Sequence, residues 1–180
     1  MASVGPVTAR LLVVGLAPGR MGAHRTGRPF FGDDSGLWLH DALTRFGFAE
    51  DRGQDRPPRL LHCRITNAVR CLPPDNRPLP EERRRCAPFL LRDLGMLCRS
   101  GRRRRPVVIL ALGAIAHDAI LFALGKPRAD AAFEHGAEHV LARAVYLLDS
   151  YHCSRYNTRT GRLTRAAFDA VFERITHLLS

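Results

Sequence analysis

The first twenty residues of this 180-residue chain hold no long apolar core and no small-residue cleavage pattern. Leu11 to Leu16 is far shorter than the ~20 apolar residues of a spanning helix, or than the core of a signal peptide. Paired cysteines are also lacking. There are five, at positions 63, 71, 86, 98 and 153, and an odd count without a secretion signal argues against a disulfide scaffold. Both absences point to the cytoplasm. No internal repeat and no long low-complexity tract interrupts the chain, so its length fits one domain spanning 1–180. Acidic residues are scarce: 17 against 28 basic ones, a formal charge of +11. That balance suits a polyanionic partner. An arginine-rich soluble surface would give the same count, and the run Arg102–Arg105 reads equally as a solvated linker before a strand.

Several common chemistries are absent as well. The glycine spacing at 15–19 is not that of a dinucleotide fingerprint, and no lysine with serine or threonine completes a phosphate loop. No serine sits in a Gly-x-Ser-x-Gly elbow, and no Cys–His pair has a recognisable motif around it. A small-molecule hydrolase on a similar sheet therefore has no visible nucleophile.

What is present is an alternation. Four short apolar, β-branched runs read as strands: Leu11–Val14, Leu60–Thr66, Pro106–Ala111 and Ala144–Leu148. None alternates cleanly, which suits strands buried on both faces. Helical spacing follows Ser35, a plausible cap, through Leu39, Ala42, Leu43 and Phe46. Pro80-Glu81-Glu82 opens a second helix, with Cys86, Phe89, Leu90, Leu94 and Leu97 as its stripe. A third follows Gly113 and a fourth follows Thr164. Strands alternating with helices imply an α/β fold, a parallel sheet covered on both faces. Such sheets bind ligands beyond the carboxyl ends of their strands. The polar and Gly/Pro-rich segments 15–36, 67–80 and 149–162 fall at three such ends, so one crevice can be assembled from three distant stretches.

Each segment carries candidate chemistry with a plainer alternative beside it. Gly15-Leu16-Ala17-Pro18-Gly19 permits close backbone approach. Phe30, followed by Phe31, either stacks on a planar base or packs inward to anchor the loop. Asp33 either positions a water or caps the helix that follows. Asn67 ends a strand, and its amide offers the donor and acceptor needed to read a pyrimidine edge; otherwise it is a turn former. His152 can donate to an oxygen where negative charge develops, with Ser154 and Arg155 placed to hold phosphates, or it is structural.

Taken together, GLAPG at 15–19, RTGRPFFGDDSG at 25–36, ITNAVRCLPPDNRP at 65–78, ALG at 111–113, SYHCS at 150–154 and NTRTGRLT at 157–164 resemble the type-B, or family 5, uracil-DNA glycosylases over nearly the whole chain. The resemblance implies a three-layer α/β/α sandwich around a four-stranded parallel sheet. It implies a monofunctional, monomeric enzyme that flips a nucleotide from damaged DNA and hydrolyses its N-glycosidic bond, initiating base-excision repair. It assigns Phe30 to stacking on the flipped base, Asn67 to its edge, His152 to the leaving base and Asp33 to the water. Substrate contacts fall on Gly15, Leu16, Ala17, Phe30, Asn67, His152, Ser154 and Arg155. The apolar Leu16, where related groups carry glutamate or other polar residues, implies a range that includes hypoxanthine and etheno bases.

The chain departs from that pattern twice. The resemblance implies a [4Fe–4S] cluster, which needs four thiolates. Cys71 and Cys86 match two of its metal ligands, and no Cys-x-x-Cys precedes the first strand. The cluster is thus expected to be absent or unstable here, and a weakly active nucleic-acid-binding relative is the competing reading. Cys153 stands where the resemblance implies proline, leaving that loop freer.

Overall fold

A computed structural model describes residues 1–53, 56–74, 77–100 and 105–180, apart from the side chain of Ser100. Arg102–Arg104 of the basic run lie outside the described residues.

The expected strands form at Leu11–Gly15 (β1), Cys63–Asn67 (β4), Val107–Leu112 (β5) and Val145–Ser150 (β7). They pair in parallel in the order β4-β1-β5-β7. Each is short and mostly buried, as suits a strand with helices on both faces. In β1, Leu11 and Val13 enter one core layer while Leu12 and Val14 enter the other. In β5, Val108, Leu110 and Leu112 face the first layer and Val107, Ile109 and Ala111 the second. This period of two is hidden in the sequence because both faces are apolar.

The helices are α1 (Ala23–Thr26), α2 (Asp34–Arg45), α3 (Pro80–Ser100), α4 (Ala114–Ala123), α5 (Arg155–Arg159) and α6 (Arg165–Leu179). Leu39, Ala42 and Leu43 of α2 share the first core layer with Phe168, Phe172 and Ile175 of α6. Leu90, Leu94 and Leu97 of α3 share the second with Ile120 and Leu121 of α4. The result is the expected α/β sandwich. Among the described residues, no helix is long and apolar enough to cross a membrane.

Three details differ from the sequence reading. The sheet has a fifth strand, Glu138–Ala142 (β6), antiparallel to β7 at the edge, with a register shift between Val140 and Ala142. Its residues are mixed polar and half exposed because an edge strand has one partner and one open side, so no apolar run marks it. The run 60–66 is broken: Leu61 and His62 are exposed, and Arg59–Leu60 (β3) pairs instead with Ala49–Glu50 (β2) in a small second sheet. Finally, α2 is capped two residues before Ser35, by Asp33 accepting the N–H of Gly36 at 2.9 Å.

Candidate active site

The carboxyl ends of β1, β4 and β7 bring the three polar segments together. Gly15, the last residue of β1, lies beside Asn67, the last residue of β4. A Cβ at Gly15 would stand 2.5 Å from Phe30 Cε2 and 2.6 Å from Asn67 Oδ1. Only glycine lets the ring and the amide crowd the same point of backbone. A similar demand operates at Gly36, where a Cβ would stand 2.3 Å from the carbonyl oxygen of Phe30.

Phe30 itself is buried and has φ +53°. A bulky side chain in the left-handed region costs on the order of 1–3 kcal/mol and persists only where surroundings enforce it. Here the first turn of α2 does so from one side and β1 from the other. The ring reaches His152, with centroids 5.8 Å apart and planes inclined by 29°.

A cavity of about 290 Å³ opens between the first and third segments, lined among others by Leu16, Ala17, Phe30, Asp33, His152 and Ser154. Asn67 does not line this space but converges with the Phe30 ring beside Gly15. Its Oδ1 is buried and unpaired among the described residues. An orphan acceptor of this kind costs about 1–3 kcal/mol unless a donor arrives.

Asp33 divides its carboxylate. Oδ1 caps α2, while Oδ2 turns towards Gly19 and Gly22 of the first segment. Both readings of Asp33 are therefore geometrically open at once. The imidazole of His152 has its pKa pushed down to about 4 by burial, against the opposing pull of the Asp33 charge. The ring is thus neutral near pH 7. Its loop is tied down by Asn157, whose Nδ2 donates to the His152 carbonyl at 2.8 Å. Cys153 is fully buried, and its thiol donates to the Ser35 carbonyl at 3.3 Å. That contact joins the third segment to the first, so the freedom expected from cysteine at this position is taken up by packing. Burial pushes the Cys153 pKa up to about 12, leaving it a thiol.

Ser154 caps α5 through the N–H of Asn157. Arg155 lies on the exposed rim, paired with Asp34 at 2.6 Å. The charge of Arg155 is shared with a neighbour, and this pair also bridges the first and third segments.

A buried charge that no motif marked anchors residues on either side of Asn67. Asp93 of α3 is buried, and its carboxylate accepts from Arg64 Nε (3.1 Å), Arg70 Nη2 (2.9 Å), Thr66 Oγ1 (3.0 Å) and Ser3 Oγ (2.5 Å). Two arginines flanking Asn67 in sequence are thereby anchored to one buried charge. Losing one partner of such a buried pair typically costs about 3–5 kcal/mol. A signal was available: Asp93 falls inside the apolar stripe Leu90, Leu94, Leu97, where an unpaired acid is untenable.

The iron–sulfur expectation needs correction. Cys71 is exposed, and Cys86 accepts the N–H of Arg70 at 3.4 Å through its sulfur. Cys63 is buried in β4 with its pKa raised by desolvation. Among the described residues, the donor atoms that gather closely enough to hold a metal belong to His117, His139 and Asp149, with no thiolate among them. That set does not fit a cubane of four iron–thiolate corners. The geometry thus contradicts iron–sulfur binding with Cys71 and Cys86 as ligands, which the resemblance implied. The His/His/Asp group is itself closed by hydrogen bonds. His117 Nδ1 meets Asp149 Oδ1 at 2.7 Å, His117 Nε2 meets the Ala131 carbonyl at 3.0 Å, and His139 Nε2 meets Asp149 Oδ2 at 3.1 Å.

Comparison with known proteins gives a consistent picture. The family model for the uracil DNA glycosylase superfamily matches residues 2–176. The type-5 uracil-DNA glycosylase of Thermus thermophilus is 45% identical over 168 residues, covering 91% of this chain and 73% of that protein. Its Pyrobaculum aerophilum counterpart is 40% identical over 175 residues, 94% of this chain and 72% of that protein. The Mycobacterium tuberculosis counterpart is 40% identical over 176 residues, 93% and 62% of the two chains. The type-4 enzyme of Thermotoga maritima is similar over less, 37% identical across 62% of this chain.

Proposed function

Since the chain belongs to the uracil DNA glycosylase superfamily, and within it to the type-5 family, we propose how its own residues carry out the removal of uracil from DNA. The activity is hydrolysis of the N-glycosidic bond by a monofunctional glycosylase. The target nucleotide must leave the stack, because the bond is out of reach within the duplex.

The observation that carries the assignment of roles is the orphan oxygen of Asn67. Uracil presents an N–H at N3, flanked by carbonyl oxygens. That N–H supplies the missing donor, and the Asn67 amide N–H₂ can serve an adjacent carbonyl. Cytosine has an acceptor at N3 and would leave Oδ1 facing another lone pair, so the same atom selects and rejects. Phe30 stacks on the flipped ring, pre-set by its strained backbone.

Bond cleavage sends the C1′–N1 electron pair into the base, which leaves as an anion. A neutral His152 donates a hydrogen bond to the oxygen where this charge collects, and gains strength as it develops. Neutrality suits the task, since the ring needs one N–H and no proton transfer. Asp33 holds the attacking water through Oδ2 and offsets positive charge on the sugar. Water adds to C1′, and its proton passes to the carboxylate or to solvent. Ser154 and Arg155 sit at the rim, where phosphates of the flipped nucleotide would pass.

Leu16 and Ala17 form an apolar boundary of the cavity. They place no hydrogen-bonding demand on the base at that side, which supports acceptance of deaminated purines such as hypoxanthine beside uracil.

The test is alkaline strand cleavage after incubation with labelled duplexes carrying one uracil, one hypoxanthine or one unmodified cytosine. Abasic sites should form on the first two. Binding without turnover on the uracil duplex would favour the non-catalytic reading.

A further inference from the structure

The segment between α4 and β7 is stitched to the strand that delivers His152, and its side chains have no part in the chemistry described above. Asp149 is fully buried in β7, three residues before His152. Both oxygens are taken, by His117 and His139. His117 is held at both ring nitrogens, Nδ1 by Asp149 and Nε2 by the Ala131 carbonyl. The backbone adds two bonds: Gly136 N–H donates to the Asp149 carbonyl at 2.9 Å, and Asp149 N–H donates to the Ala137 carbonyl at 3.0 Å.

The stitching continues one step nearer the cavity. Tyr151 N–H donates to His135 Nδ1 at 3.1 Å, and the two rings stack at 4.9 Å with planes 18° apart. The guanidinium of Arg162 lies 4.4 Å from the centre of the Tyr151 ring. Tyr151 is thus gripped by its backbone and by its ring, one bond away from His152. Among the described residues the His152 ring has no hydrogen-bond partner to set its angle; it has the Phe30 face and its own backbone.

We propose that the segment Ala131–His139 is a strap that sets the angle of His152, and that His135 is the positioning residue through which it acts. This rests on the reading of His152 as the donor to the leaving base. An N–H aimed at a developing charge loses its benefit with small angular error, so a group that fixes the preceding peptide can govern rate without touching substrate.

The test is a double-mutant cycle measured as single-turnover rate on a uracil duplex, with DNA affinity and thermal midpoint recorded for each protein. His135→Ala should slow cleavage about tenfold and leave DNA affinity unchanged. His135→Asn should recover most of the rate, because its amide oxygen can accept the Tyr151 N–H. The double variant His135→Ala/His152→Ala should be no slower than His152→Ala alone, since the strap acts through that ring. A wild-type rate for His135→Ala, no recovery with asparagine, or a double variant that loses the product of both factors would overturn the proposal. If His152→Ala itself cleaves at the wild-type rate, the earlier reading of His152 is what fails.

Discussion

The side-chain oxygen of Asn67 and the ring edge of Phe30 meet the same point beside Gly15, at 2.6 Å and 2.5 Å from where a Cβ would stand. The two groups proposed above to meet the edge and the face of a flat base thus converge on one backbone position.

Asn67→Ala should lower uracil cleavage by about 10²–10³-fold while DNA affinity changes by only a few-fold, since phosphate contacts carry most binding and the base edge carries selection. Single-turnover rates and fluorescence anisotropy on the same duplex check both halves. Asn67→Asp should behave differently, rejecting uracil less as the pH falls and the carboxyl regains an N–H-like donor. A parallel loss of affinity and rate in Asn67→Ala would count against edge recognition.

Two substitutions separate the duties of Asp33. Asp33→Asn keeps a cap for the Gly36 N–H and removes the charge, so the fold should keep its thermal midpoint while cleavage slows with residual activity. Asp33→Ala removes both, and should add a stability loss of about 1 kcal/mol, typical of a missing cap. If Asp33→Asn cleaves at the wild-type rate, the carboxylate is a cap only.

His152 predicts a sign for pH dependence. Its folded pKa, about 4, lies below the ordinary histidine value of 6.5. Above 6.5 both folded and unfolded rings are neutral, and stability is full. As pH falls from 6.5 towards 4 the unfolded chain takes up a proton that the folded chain refuses, so stability declines across that window. Burial moves His40 and His135 in the same direction. For His117, burial pulls the pKa down, but the Asp149 hydrogen bond and charge and the Ala131 carbonyl outweigh it. Its pKa is raised, so its contribution is present at low pH and is lost as pH rises through that raised value. Denaturant midpoints between pH 4 and 8 should therefore fall on the acid side, and less so in His152→Gln. The cleavage rate should show no histidine-like inflection near pH 6.5.

Cys71→Ser and Cys86→Ser, singly and together, should leave cleavage of uracil DNA within about twofold of wild type. Cys71 is exposed, and Cys86 accepts the Arg70 N–H, which a serine oxygen can also accept. For the exposed Cys71 such a change is usually within about 0.5 kcal/mol, and at Cys86 the serine keeps the acceptor for Arg70. A large joint loss of rate, together with loss of protein-bound iron, would restore a ligand role.

The sequence by itself determined the order of the main elements, the four parallel strands, the helix starts at Pro80 and Thr164, and the three polar segments at the strand ends. These depend on neighbours a few residues apart, where apolar spacing and helix-start chemistry are written directly. It also offered Phe30, Asn67, Asp33 and His152 as candidates, each with a structural alternative that local sequence could not remove. Tertiary structure decided the rest. The edge strand Glu138–Ala142 owes its place to β7, not to its own composition. Asp93 becomes an anchor only when Arg64, Arg70 and Ser3, up to 90 residues away, converge on it. The neutrality of His152 and the orphan oxygen of Asn67 arise from desolvation and from which partners are missing. Both are sums over contacts made by segments distant in the chain, and no local pattern in the sequence carries them.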